Sequence, residues 1–209
     1  MVGVRNLKET SKDKFNKYLD EIGYNTESFG YIYIMQKYIQ MADCKDLLEL
    51  GVRGGLSTIG LLYACEENNS HLYSVEIINE KNSDEESIKL ITQTRKNVKY
   101  LGLEKYWTFK QCNDLDYECD REYDFIFIDT SHEFKQTLLE LEKFSGFIKI
   151  GKTIFLHDTL HKSHCRDVMG AIGQFMTADF DRSKRKVRGR WIYRESGTQH
   201  GLGMLERIA

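Results

Sequence analysis

Short apolar segments alternate with longer amphipathic segments through most of the chain, and this alternation limits the fold more than any other feature. The apolar segments have the length of strands, and most are followed by a stretch with helical spacing. The predicted strands are DLLEL (46–50), HLYSVEI (71–77), WTFKQC (107–112), YDFIFID (123–129) and KTIFLHD (152–158). Strands joined through helices pair in parallel by right-handed crossovers, with helices on both faces of the sheet. The sequence therefore predicts a Rossmann-like α/β fold.

Both ends of the chain depart from this alternation. Residues 8–42 carry apolar side chains at helical spacing with a break near Gly23 and Asn25, which predicts two N-terminal helices. Near the C-terminus, KVRGRWIYRES (186–196) and HGLGMLERIA (200–209) are separated by only a few residues, so they can pair only as an antiparallel hairpin. We therefore predict a mostly parallel seven-stranded sheet that ends in an antiparallel hairpin.

The amino-acid composition excludes several classes of protein. The chain has 209 residues with 41% hydrophobic residues and a net charge of −2, as in a globular domain without general attraction to nucleic acid or anionic membrane. No apolar run approaches the ~18 residues of a membrane span, and the N-terminus lacks a secretory pattern. The five cysteines are scattered, which is typical of reduced thiols. We expect a cytoplasmic protein with no membrane or nucleic-acid partner; monomer and homodimer both stay open.

Four carboxylates stand at or next to the ends of predicted strands: Glu49, Glu76, Asp129 and Asp158. The carboxyl ends of parallel strands lie along one edge of a sheet, and this edge is where such sheets bind ligands. Helix capping could explain any one of the four acids. Four acids at matched positions favour a binding site instead.

The turn after the first strand contains three glycines, Gly51, Gly54 and Gly55. Their order does not match the G-x-G-x-x-G pattern of dinucleotide enzymes. Glu49 would also repel a pyrophosphate at close range. S-adenosylmethionine instead carries a cationic ammonium and a cationic sulfonium, so a carboxylate beside it is favourable. The turn therefore favours S-adenosylmethionine, which we expect to lie along the glycine backbone next to Glu49.

The next two strand ends offer groups for the nucleoside of such a ligand. Glu76 comes 21 residues after Gly55, where a carboxylate can accept hydrogen bonds from a ribose diol. Asn113 and Asp114 follow the third strand, where an adenine edge would lie, although Asn-Asp is also a common turn sequence. These residues support an adenosine ligand without distinguishing S-adenosylmethionine from a dinucleotide.

Together these motifs resemble the class I S-adenosylmethionine-dependent methyltransferases. ELGVRGGLST (49–58) is similar to their first motif, and VEI (75–77) to the acidic end of their second strand. Residues 123–159 resemble the small O-methyltransferases whose fourth strand ends in Asp-x-x-His and whose fifth ends in His-Asp. The resemblance implies a methyltransferase domain over residues 45–209. It also implies that the helical segment 1–44 covers the active site.

The resemblance further implies a role for each candidate residue. The methionine part of the cofactor is assigned to Glu49, Gly51 and Ser57, the ribose to Glu76, the adenine to Asp114, and the methyl group with the acceptor to Asp129. The implied reaction is O-methylation of a hydroxyl on a small molecule or a sugar.

A hydroxyl acceptor must lose its proton during transfer, and the sequence offers two ways to remove it. Asp129 and Asp158 could share a divalent cation such as Mg²⁺, which lowers the pKa of a coordinated hydroxyl. In some relatives, those that resemble catechol O-methyltransferase and sugar O-methyltransferases, acids at these strand ends hold a metal. Alternatively, His132 or His157 acts as a general base. The predicted catalytic residues are therefore Asp129, His132 and His157, with both mechanisms open.

The basic run DRSKRKVRGR (181–190) leaves the acceptor open. Such a run is either a solvated loop before an edge strand or a docking site for an anionic acceptor, such as a phosphorylated or carboxylated sugar.

The sequence also leaves three other functions open: an RNA or protein methyltransferase, a cofactor-binding module without catalysis, and a dinucleotide oxidoreductase. The charge of Glu49 disfavours the last of these.

Overall fold

A computed structural model describes residues 9–78, 83–162, 165–177 and 189–209. Within these ranges the helices and strands follow the predicted alternation. In chain order they are α1 (Ser11–Glu21), α2 (Gly30–Met41), β1 (Asp46–Leu50), α3 (Leu56–Asn68), β2 (His71–Glu76), α4 (Glu85–Tyr100), β3 (Trp107–Gln111), β4 (Tyr123–Ile128), α5 (Phe134–Phe144), β5 (Ile148–His157), α6 (Cys165–Thr177), β6 (Trp191–Ser196) and β7 (Leu202–Arg207). A short 3₁₀ turn, Asp114–Asp116, follows β3.

The strands form a single sheet in the order β3-β2-β1-β4-β5-β7-β6. Strands β1 to β5 are parallel, whereas β7 pairs antiparallel with both β5 and β6. This arrangement confirms the predicted Rossmann-like sheet with its C-terminal antiparallel hairpin. The strand order reverses between β1 and β4, and a crevice for ligands opens at the carboxyl ends of the strands at such a point.

Alternate residues of the central strands face two separate cores. Leu47 and Phe127 pack with buried residues of α1, α2 and α3 on one face. Leu48 and Ile126 pack with buried residues of α5 and α6 on the other. Successive side chains of a strand point to opposite faces, so Glu49 shares the face of Leu47 and points into the first core.

Two helices occupy the N-terminal region, separated by residues 22–29. Helix α1 begins with a capping box in which the Thr10 hydroxyl accepts from the Asp13 amide and the Asp13 carboxylate accepts from the Thr10 amide. Phe15 of α1 and Ile32 of α2 are fully buried in the first core. Both helices therefore share a hydrophobic core with the sheet. The break coincides with the one predicted near Gly23, whose φ is +76°.

One strand boundary differs from the sequence prediction. Strand β5 begins at Ile148 rather than at residue 152, because its pairing with β4 shifts register between Tyr123 and Phe125. Of the basic run 181–190, residues 181–188 lie outside the described residues.

Among the described helices, none combines the length and apolar character needed to cross a bilayer.

Gly51, after β1, lies against the backbone of Asp129, after β4. The Cβ of an alanine at position 51 would lie 2.1 Å from the Asp129 carbonyl oxygen, and φ at Gly51 is +90°. We expect Gly51→Ala to lower the free energy of unfolding by about 2–4 kcal/mol, because both the clash and the left-handed backbone must be relieved. Urea denaturation measures this change.

Gly54→Ala is the matched control, because a Cβ at Gly54 would meet no atom within 4 Å. Its free energy of unfolding should stay within about 1 kcal/mol of the wild-type value. Equal losses in the two variants would contradict a specific role for the approach of Gly51 to Asp129.

Candidate functional site

A cavity of about 420 Å³ opens at the carboxyl ends of β1, β2 and β4. This volume is in the range of small-ligand and cofactor sites. The predicted cofactor residues that line it are Gly51, Glu76, Asn113, Asp114 and Asp129. The cavity therefore lies at the edge of the sheet where the sequence pattern placed the acids.

Glu76 fixes the glycine turn at the cavity wall. One oxygen, Oε2, accepts hydrogen bonds from the Val52 and Arg53 amides, both at 2.8 Å. The other oxygen, Oε1, accepts from the Ile78 amide at 3.0 Å. A carboxylate oxygen has two lone pairs, so Oε1 retains acceptor capacity for a ligand hydroxyl. Glu76 can therefore shape the turn and contact a ligand at the same time.

Glu49 does not face the cavity, which corrects the prediction that it lies beside the ligand together with Ser57. The Glu49 side chain is 0% exposed. It accepts hydrogen bonds from the hydroxyls of Ser57 and Thr58, each at 2.8 Å, and of Ser74 at 2.7 Å. Burial raises the pKa of Glu49 to about 7, although the three hydroxyls oppose this rise. Glu49 is thus a buried bridge between β1, β2 and α3.

Two of the three glycines also lie away from the cavity lining, contrary to the prediction. Gly55 precedes α3 with φ +73°, and a Cβ there would lie 2.2 Å from Thr94 Cγ2. Gly55 therefore allows α3 and α4 to approach. Gly54 is exposed at the turn. Arg53 lies within the same turn, with φ +43°. It lines the cavity, so its guanidinium adds a positive charge there.

The second part of the site is a cluster of two carboxylates and two imidazoles, termed here the His–Asp cluster: Asp129, His132, His157 and Asp158. His132 Nε2 lies 2.8 Å from Asp129 Oδ1 and 3.4 Å from Asp158 Oδ2. His157 Nδ1 lies 3.4 Å from Asp129 Oδ1 and 3.2 Å from Asp158 Oδ1. His132 and Asp158 have φ near +60°, which is uncommon for residues other than glycine. All four predicted residues therefore converge.

Charge pairing decides protonation within the His–Asp cluster. Burial alone would raise the pKa of Asp129, but the contacts and charges of His132 and His157 outweigh it and hold that pKa well below its usual range. Burial alone would lower the pKa of His157, but contact with Asp129 and the charges of Asp129 and Asp158 raise it. One ligand atom from each of the four residues lies within 4.8 Å of the others, so the cluster could also hold a cation.

Tyr31 of α2 joins this cluster from the N-terminal region, and the sequence did not single it out. Its ring centroid lies 4.4 Å from that of His157. Burial, followed by the charges of Asp129, Glu49 and Asp158, raises the pKa of its phenol, so the hydroxyl is neutral. Helical spacing over residues 8–42 placed Tyr31 on a predicted helix but did not identify which aromatic of that segment lies at the site.

Gln136 and Glu140 of α5 were also missed. Gln136 Nε2 lies 3.0 Å from Asp114 Oδ1 and 2.8 Å from Glu140 Oε1. Glu140 is fully buried and accepts from the Thr130 hydroxyl at 2.7 Å. A glutamate between buried positions of an amphipathic helix, here Thr137 and Leu141, was the available signal.

The comparisons with known proteins identify the family and the fold of the chain. A family model described as a methyltransferase domain matches residues 48–159, which is more than half of the chain. No curated protein matches the sequence. The O-methyltransferase from Bacillus cereus, solved with S-adenosylhomocysteine, is similar over 98% of this chain and 93% of that one, with 16% identity and a TM-score of 0.62.

Two further solved structures share the fold. The O-methyltransferase TomG from Streptomyces achromogenes, involved in tomaymycin synthesis and solved with S-adenosylmethionine, is similar over 99% of this chain and 93% of that one, with 12% identity and a TM-score of 0.60. The S-adenosylhomocysteine-bound methyltransferase PaMTH1 from Podospora anserina is similar over 95% and 88%, with 13% identity and a TM-score of 0.62.

The buried position of Glu49 predicts how stability depends on pH. Its pKa is higher in the folded protein than in the unfolded chain, so the folded state binds the proton more tightly between about pH 4.5 and about pH 7. The free energy of unfolding therefore falls as pH rises through this window. We expect the stability of Glu49→Gln relative to wild type to increase by up to about 3 kcal/mol from pH 4.5 to pH 8.

Denaturant unfolding of both proteins across this pH range measures the difference, in which other titrating groups cancel. Glu122→Gln serves as the control at an exposed acid. A constant difference for Glu49→Gln would show that this carboxyl has the same proton affinity in the folded and unfolded states.

Proposed function

The chain is a class I methyltransferase, since it belongs to the family whose model it matches over residues 48–159, and we propose that it transfers the methyl group of S-adenosylmethionine to a hydroxyl of a small molecule. One observation carries this proposal. Asp129 lines the cavity and is at the same time 2.8 Å from His132, so the cofactor cavity and the His–Asp cluster meet at a single carboxylate.

The cofactor would lie across the cavity with its nucleoside between β2 and β3. Glu76 retains acceptor capacity for the ribose, and Asp114 and Asn113 line the cavity at the expected adenine end. Arg53 suits the cofactor carboxylate, and Gly51 permits close approach to the backbone. Support for S-adenosylmethionine comes from the family and from the cofactor-bound neighbours. It does not come from the charge of Glu49, which is buried away from the cavity.

Methyl transfer breaks the bond between sulfur and the methyl carbon and forms a bond from that carbon to the acceptor oxygen. The sulfonium becomes a neutral thioether, and the hydroxyl proton must leave. His132 is the proposed general base. If Nε2–H donates to Asp129, the lone pair resides on Nδ1, which can accept the proton, and Asp129 then stabilises the resulting imidazolium.

Mg²⁺ suits the ligands of the His–Asp cluster less well than a metal ion that binds imidazole nitrogen. Asp129 and Asp158 offer carboxylate oxygens, but His132 and His157 contribute imidazole nitrogens to the same group. Hard cations prefer oxygen ligands, whereas Mn²⁺ tolerates imidazole and Zn²⁺ favours it. Such an ion would lower the pKa of a coordinated acceptor hydroxyl. General-base catalysis by His132 does not require one.

The acceptor is proposed only as a chemical class. A sugar or phenol hydroxyl would have to reach the His–Asp cluster, where Tyr31 would form part of the wall contributed by α2. An anionic acceptor, a homodimer and a cytoplasmic location are retained as predictions. The cysteines described in the structure are free thiols, which supports a reducing location. Methylation of RNA or protein, and cofactor binding without catalysis, are outcomes that the experiments below distinguish.

Removal of the Glu76 charge should weaken cofactor binding. We expect Glu76→Gln to raise the dissociation constant of S-adenosylhomocysteine at least about tenfold, because the amide removes one acceptor from the group facing the ribose. Isothermal titration calorimetry measures this change. Glu104→Gln changes an exposed acid and should bind like wild type. Unaltered affinity in Glu76→Gln would mean that the ribose lies elsewhere.

Removal of the proposed base should affect turnover and leave cofactor binding intact. His132→Asn is suitable because asparagine tolerates a φ of +60°. We expect kcat to fall by about 10²–10⁴-fold, and the affinity for S-adenosylhomocysteine to stay within about threefold of wild type. A tritiated-methyl assay over phenols, catechols, sugars and RNA measures turnover, with and without EDTA.

His71→Gln at the opposite end of β2 is the control for loss of an imidazole and should retain full activity. Methylation of RNA alone would contradict a small-molecule acceptor. Cofactor binding without methyl transfer to any acceptor would instead favour the non-catalytic module. Full activity of His132→Asn would exclude His132 as the base.

A further inference from the structure

Helix α5 holds the turn that carries Asp114 through three polar side chains on one face. Gln136, Glu140 and Lys143 are spaced by four and three residues, so they are neighbours along the helix. Lys143 Nζ donates to the backbone carbonyls of Asp114 at 3.0 Å, Leu115 at 2.7 Å and Tyr117 at 2.6 Å. Gln136 Nε2 donates to Asp114 Oδ1 at 3.0 Å. The position of Asp114 is therefore set by α5.

Glu140 lies behind Asp114 and does not itself line the cavity. The Glu140 side chain is 0% exposed, and Oε1 accepts from Thr130 at 2.7 Å and from Gln136 at 2.8 Å. The second oxygen, Oε2, is buried and has no hydrogen-bond partner among the described residues. Leaving an ionised carboxylate oxygen without a partner next to a second carboxylate is unfavourable. A proton on Oε2 converts it into a donor toward Asp114.

Resting on the proposed function, we infer that Glu140 is a positioning residue of the cofactor site, which keeps a proton and donates it in a hydrogen bond to Asp114. Asp114 then presents one fixed negative charge to the cavity, where it can accept a hydrogen bond from the amino group of adenine. Glu140 acts through Asp114 and has no contact with the ligand of its own.

The inference predicts that binding weakens at alkaline pH. Burial, followed by the hydrogen bond with Asp114 and its charge, raises the pKa of Glu140 to about 8, although Thr130 and Gln136 oppose this rise. Above that pH two carboxylates would face each other, and a bound nucleoside would shield both from water. The ligand therefore favours the protonated form. Lys143 on α5 and Lys110, Asp114 and Asp116 near the end of β3 act on the nearby Cys112 thiol. Across the cavity that Asp114 lines, the charged groups are Arg53, Glu76, Asp129 and Glu133.

The test uses 5′-methylthioadenosine, which contains adenine and ribose but neither the amine nor the carboxylate of the full cofactor. Calorimetric dissociation constants are measured from about pH 6.5 to about pH 9.5. Wild type should bind about fivefold or more weakly at the upper end than at pH 7. Glu140→Gln should show a flat profile, because its amide still donates to Asp114 and has no proton to lose.

Thr130→Val provides a second, directional test. The Thr130 hydroxyl stabilises ionised Glu140, so its removal should move the loss of affinity to higher pH. Weaker binding at every pH without such a displacement would indicate a merely structural role and overturn the inference. Glu142→Gln, an exposed acid on the same helix, should keep the wild-type profile.

The two proposals fail in different ways. If wild type binds neither 5′-methylthioadenosine nor S-adenosylhomocysteine at pH 7, the proposed function is wrong. If it binds both, but wild type shows no loss at alkaline pH or Glu140→Gln shows the same loss, only the role of Glu140 is wrong.

Discussion

The contact between the ends of β1 and β4 supports the rest of the site. Gly51 meets the Asp129 carbonyl so closely that no side chain fits at position 51. The Asp129 amide donates to the Leu50 carbonyl at 2.9 Å, and the Gly51 amide donates to the Val75 carbonyl at 3.0 Å. These hydrogen bonds join β1, β2 and β4 at the point where the strand order reverses. Asp129 can serve both the cavity and the His–Asp cluster because this junction fixes its backbone.

The buried acids of this edge are stabilised in three different ways. Glu49 is surrounded by hydroxyls and Glu140 lies behind a second carboxylate, and in both cases burial raises the pKa. Asp129 is partly buried at the cavity, and two histidines hold its pKa low. Residue type alone does not decide which carboxyl carries charge; the partners do. The acids whose pKa is raised maintain structure, whereas the acid whose pKa is held low faces the proposed chemistry.

The sequence predicted the topology and the edge of the sheet at which the cavity opens, because strand and helix periods and the common direction of parallel strands are local properties. It assigned Glu49 to the wrong side, although Leu47 two residues earlier indicated a core-facing position. It could not locate Tyr31 or Glu140, because their roles depend on packing between elements distant in sequence. The convergence of His132 with Asp158 likewise depends on two left-handed backbone positions that no local pattern predicts.

The N-terminal helices share one apolar core with the sheet, and Tyr31 of α2 packs against His157. The region proposed to cover the acceptor is therefore part of the folded body and not a detachable lid. An evolutionary change of substrate through α2 would also perturb folding. Diversification of acceptor preference should consequently proceed by small, compensated replacements on this helix, while exposed loops remain free to vary.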